Sequence, residues 1–271
     1  MATHTVGGRA PRERGLWYAV AGGAAIMLLS VLVGVAFFAW LLLAARGPSA
    51  PELLPADTQL YAATSPNVGG VVEVEQLQRA MREGLGVAEP AALLAPVERL
   101  LGVPLEGNVG TWLGSEIAVA VRGLDPAAIE GGAAAEALLR DGEVLFFFGS
   151  KNDPQAAAFL EKLRAAREAE GVGVTTAQRG ETTVYTVETG EPSPLAAFAL
   201  VQHYLVFSNS PAAIEALVAA GDGLPGGLAQ APGFAAFQEQ LGPRQAGAVY
   251  SDGTPAAEAA RAALRELLSG L

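Results

Sequence analysis

Apolar and polar positions divide the chain into two regimes. From Gly15 to Ala45 run 31 residues without a charge, "GLWYAVAGGAAIMLLSVLVGVAFFAWLLLAA". Beyond them, short apolar runs alternate with Ala-rich stretches of helical period. The runs predict strands over 59–64, 116–121, 143–149, 174–178, 183–188, 196–201, 204–208 and 246–251. The Ala-rich stretches predict helices over 73–84, 90–101, 126–139, 154–170, 211–220, 232–241 and 255–269. In the clearest of these, Phe159, Leu160 and Leu163 form one stripe, extended by Ala156 and Ala166, while Glu161, Lys162, Arg164 and Glu168 face away.

Spacing between the runs predicts how they pair. "VTTAQRGETTVYTVE" and "AAFALVQHYLVFS" each read as two strands around a short connection, although Gln202-His203 lacks the favoured glycine. The strands at 183–188 and 196–201 are also expected to pair. "FFF" at 146–148 places aromatic side chains on both sides of its strand. The expected fold is α+β, a mainly antiparallel sheet with helices packed on one face. A parallel α/β fold is the second choice, because it demands stricter strand–helix alternation.

Four helices share one opening. Asp125-Pro126, Asp153-Pro154, Ser210-Pro211 and Thr254-Pro255 each set a side-chain acceptor before a proline. Such an acceptor takes a free N–H of the first helical turn, and proline suits the first helical position. "SNSPAAIEAL" (208–217) is therefore read as architecture rather than as an anion site, since no glycine-rich phosphate loop accompanies it. The recurrence of the pattern also raises an internal duplication.

The charge-free stretch exceeds the roughly 20 residues a helix needs to cross a bilayer. Trp17 and Tyr18 stand near one end and Trp40 near the other; a helical separation of 23 residues spans about 35 Å. A cleaved signal peptide has a shorter apolar core and a small-residue cleavage site, so a retained anchor is preferred. Arg9, Arg12 and Arg14 precede the stretch, which predicts a cytoplasmic N-terminus and an extracytoplasmic remainder. The expected organisation is a basic tail over 1–15, a single-pass transmembrane helix over 16–45, a Pro-rich tether over 46–56 and an exported domain over 57–271. Within the span Ala19, Gly23, Ser30 and Gly34 share one face, a candidate dimer contact between helices.

Charge follows the same division. Four Arg and one Glu give the first 46 residues a net +3, so the chain total of −11 leaves −14 for the rest. That excess repels phosphate, which argues against a nucleic-acid partner. Cysteine is absent, which removes disulfides and thiolate chemistry. No cofactor or metal motif is present; in particular, the acidic calcium loop D-x-[DN]-x-[DN]-G is missing.

Candidate chemistry is sparse. His203 is the one histidine past the charge-free stretch and is expected in a turn. Ser150 and Lys151 lack Ser-x-x-Lys spacing, and Glu188 and Glu191 flank a Gly-Pro loop. Trp112, in "GNVGTWLGSE", either plugs the end of the core or lines a ligand groove. No catalytic residue is assigned.

The succession "LLPADTQLYAATSPN", "GTWLGSEIAVAV", "VLFFFGSKNDPQAAAFLEKL" and "YLVFSNSPAAIEAL" resembles a bacterial family of unknown function. The resemblance implies an N-terminal membrane anchor and an exported α+β domain, and brings no catalytic residues. The expected function is a membrane-tethered extracytoplasmic binding or scaffold module. A carrier or sensor of a lipid or other apolar ligand is the alternative, with a hydrolase third. Expected partners are the bilayer through residues 16–45 and an unknown protein or apolar small molecule, with a homodimer as a further expectation.

Overall fold

The eight expected strands are all present and lie side by side. The computed structural model describes residues 49–64, 98, 101, 103–104, 108–129, 134–221, 223–241 and 247–270. Its strands are β1 (Leu60–Thr64), β2 (Leu113–Arg122), β3 (Glu143–Ser150), β4 (Val174–Arg179), β5 (Thr182–Val187), β6 (Ala197–Val201), β7 (Tyr204–Ser208) and β8 (Gly247–Ser251). They form one sheet in the order β4-β5-β6-β7-β3-β2-β1-β8, antiparallel at every step. The three expected pairings, β4 with β5, β5 with β6 and β6 with β7, are among them. The fold is α+β.

The helices are α1 (Ala50–Leu53), α2 (Ala134–Asp141), α3 (Asp153–Ala169), α4 (Pro211–Ala220), α5 (Pro232–Gln240) and α6 (Pro255–Gly270). Short 3-10 turns occupy Pro126–Ile129 and Leu228–Gln230. Of the helix expected over 126–139, the described residues show a 3-10 turn over Pro126–Ile129 and α2 from Ala134. The stretches 16–45 and 73–84 lie outside the described residues, as does 90–101 apart from Glu98 and Leu101, both helical. No helix among the described residues is long and apolar enough to cross a membrane.

Helices cover both faces of the sheet, not one. The reason lies in the central strands: Val144, Phe146 and Phe148 of β3 point to one side, and Leu145 and Phe147 to the other. On the first face Leu145, Phe147, Val206 and Ala120 pack with α1, α4, α5 and Leu228. On the second, α3 covers Phe198, Leu205 and Phe207 through Phe159, Leu160 and Leu163. Helices α2 and α6 cover Val119, Val121 and Val144 through Leu138, Leu264 and Leu267. Phe146 touches both second-face clusters and joins them.

The compact unit begins at Pro48. Of the stretch expected to be a tether over 46–56, residues 50–55 are built into the first-face layer, and Ala50, Leu53 and Leu54 are wholly buried. Prolines at 48, 51 and 55 suggested a loose linker. Leu53 and Leu54, between the last two of them, are what the first face takes up, while Glu52 stays exposed.

Candidate functional site

Strands β3 and β7 have two ends, and polar residues gather at both. At the first, β7 runs out at Ser208, whose hydroxyl donates to the Val144 carbonyl (2.8 Å) and accepts from the Ser210 amide (3.0 Å). Asn209 continues the ladder with its side chain. Its Oδ1 accepts from the Val144 amide (2.8 Å), and its Nδ2 donates to Leu139 and Gly142 carbonyls (3.0 and 2.9 Å). Leu139 lies in the last turn of α2, where carbonyls lack helical partners. Ser210 then caps α4 by accepting from the Ala213 amide (3.2 Å) and donates to Glu143 (3.2 Å), which pairs with Arg122. "SNSP" is a fastening between the sheet, α2 and α4, as its sequence suggested.

Two other proline openings also behave as read. Asp125 accepts from the Ala127 amide (2.9 Å) and Thr254 from the Ala257 amide (3.2 Å). The opening at 153 does not. Asn152 is the cap of α3, accepting from the Gln155 amide (3.2 Å), so Asp153 is the first helical residue. Its carboxylate instead meets Nδ1 of His203. His203 is the turn residue expected. It and Gln202 have φ of 67° and 46°, which closes the β6–β7 hairpin without glycine. The Ser150 amide donates to the His203 carbonyl (2.6 Å), while the Ser150 hydroxyl accepts from Asn152.

At this second end stands the group that the sequence reading passed over. Glu116 accepts from the Tyr61 hydroxyl at Oε1 (2.9 Å) and from the Tyr204 hydroxyl at Oε2. A bulge positions it. Between the pairs Leu113–Ser150 and Ile117–Phe148 the register of β2 against β3 shifts, and β-bulges re-aim side chains. The strands close up there because both carry glycine: a Cβ on Gly114 would meet the Gly149 carbonyl at 3.0 Å. Burial, reinforced by the Glu116 charge, raises both phenols far above their ordinary value of 10.0, so each stays a donor. Among the described residues Glu116 has no ion-pair partner. A half-buried carboxylate held by neutral donors, beside titratable groups shifted this far, is the best candidate for functional chemistry among the described residues.

Among the described residues the same phenol-to-carboxylate contact occurs once more, against α3. Tyr185 donates to Glu161 of α3 (2.6 Å) and is pushed up to about 12, by burial first and then by this bond. Glu161 also holds Arg164 (3.0 Å), so its charge is balanced, unlike that of Glu116.

Trp112 is 2% exposed and lies against Phe159 with ring centroids 5.2 Å apart. It fills the core under α3, and its indole N–H is buried without a partner among the described residues. Glu188 and Glu191 are exposed. Among the described residues no hydrogen bond or ion pair links Ser150, Lys151, Glu188 or Glu191 to Glu116. Ala19, Gly23, Ser30 and Gly34 lie outside the described residues. Among the described residues no three His, Cys, Asp or Glu side chains gather to hold a metal ion.

The signal for the second-end cluster was faint. Glu116 opens an otherwise apolar strand behind two glycines' worth of close approach, and Tyr61 and Tyr204 each add a hydroxyl to an apolar run. They are 55 and 88 residues from Glu116, and only the strand register unites them. No curated protein and no solved structure matches the chain. With an antiparallel α+β sheet over nearly its whole described length, the chain belongs to the family described as protein of unknown function (DUF3352), whose model matches residues 22–269.

Proposed function

We propose that this chain is a membrane-tethered extracytoplasmic module that binds or scaffolds a protein partner. One observation carries the reading: a compact unit beginning at Pro48 follows directly on the charge-free stretch Gly15–Ala45, with three arginines on its other side. The anchor is a single span over 16–45 with the N-terminus cytoplasmic. Its small-residue face, Ala19, Gly23, Ser30 and Gly34, brings two copies together. Alkaline carbonate washing of membranes tests the anchor. The full chain stays in the pellet and a variant lacking residues 15–45 is released; release of the full chain overturns the reading.

A further inference from the structure

We infer that residues 49–55 form a releasable strap over the first face of the sheet, a hinged cover and not a fixed part of the core. The strap is a single helical turn whose backbone partners lie in a loop. The Leu224 amide donates to the Glu52 carbonyl (2.9 Å) and the Leu228 amide to the Leu54 carbonyl (2.7 Å), with one antiparallel bridge between Pro55 and Gly227. No strand of the sheet shares a ladder with it among the described residues.

The opposing terms are close in size. Docking buries Leu53 and Leu54 and makes a few backbone bonds, against the conformational entropy of ordering seven residues. The sheet has no such balance, because each of its central strands is bonded on both sides. The seat is also sterically exact at one point: a Cβ on Gly227 would meet the Leu54 carbonyl at 2.7 Å. Exposed Ala56 and Asp57 separate the strap from β1 and provide the hinge. Whatever acts on the chain upstream of Pro48 reaches the domain first through this segment. Undocking it removes one of the coverings of the first face, beside α4, α5 and Leu228.

Native-state hydrogen exchange on the full chain in detergent micelles reads the strap directly. The Leu224 and Leu228 amides are expected to exchange at least tenfold faster than the Phe147 and Val206 amides, through local opening. The chain has no cysteine, so single replacements give a second reading. Leu54→Cys is expected to react with a maleimide at least tenfold faster than Leu264→Cys, although both positions are fully buried. Gly227→Ala should accelerate the first further and leave the second unchanged. Equal exchange of the four amides, or equal labelling that Gly227→Ala does not separate, shows that the segment opens only with global unfolding and overturns the inference.

Discussion

At one end of β3 and β7, Asn209 and its flanking serines match donors to acceptors across β3, α2 and α4, and Glu143, which Ser210 touches, has Arg122. At the other end Glu116 also receives two hydrogen bonds, yet both come from neutral phenols and its charge has no counterpart among the described residues. The first end is what stability alone would select, because paired buried groups fix a fold. The second keeps a charge half-buried where hydrophobic neighbours would cost less. Natural proteins concentrate such local concessions at functional sites. Comparing the two ends separates architecture from candidate chemistry more sharply than residue type does.

Perturbing each end in turn tests that contrast. Asn209→Ala removes an acceptor for Val144 and the donor for α2 carbonyls, leaving several part-buried groups unsatisfied. Denaturant unfolding of the full chain in detergent should show a loss of about 3 kcal/mol; a loss under about 1 kcal/mol would mean that water replaces the fastening.

Alkaline titration addresses the opposite end. Tyr61 and Tyr204 hold their protons more tightly when folded than unfolded. Their contribution is therefore complete below the ordinary value of 10.0 and falls as pH rises above it, where the unfolded chain releases protons that the folded chain keeps. Each adds a slope of about −1.4 kcal/mol per pH unit. Tyr185 adds the same slope only up to about 12, its folded value. Tyr61→Phe with Tyr204→Phe should remove roughly two protons' worth of slope above pH 10. An unchanged slope would place the phenols in water rather than on Glu116.

Tyr204→Phe alone leaves one Glu116 oxygen short of a donor and should cost about 1.5 kcal/mol near neutral pH, less than Asn209→Ala. A larger loss would put the two ends on the same structural footing. The smallest effect is expected at the β6–β7 turn. Replacing Gln202-His203 by Asn-Gly relieves two left-handed side-chain residues and should stabilise by about 1 kcal/mol in thermal unfolding. Destabilisation would show that the His203–Asp153 contact outweighs the strain.

Legibility in the sequence followed the range of the interaction. Strands such as "VLFFFG" and "YLVFS", and caps such as Ser210 and Thr254, are set by residues within a few positions and are legible. Asn152 took the cap expected at Asp153 because two adjacent acceptors compete there, and the His203 partner that frees Asp153 lies 50 residues away. The run "FFF" at 146–148 calls for cover on both faces, which a one-sided helical layer does not supply. Glu116 with its tyrosines, and the strap with the Leu224–Leu228 loop, depend on register and long-range packing. No local pattern encodes either.

The proposed function places the folded unit from Pro48 onward outside the membrane on an N-terminal anchor. Cysteine labelling of intact cells tests it without background, since the chain has no cysteine of its own. Exposed Glu181, in the β4–β5 turn, and Thr5, ahead of the charge-free stretch, serve as the two probe positions. A membrane-impermeant maleimide should label Glu181→Cys in intact cells and Thr5→Cys only after lysis. Labelling of Thr5→Cys in intact cells with protection of Glu181→Cys, or protection of both until lysis, would contradict the account.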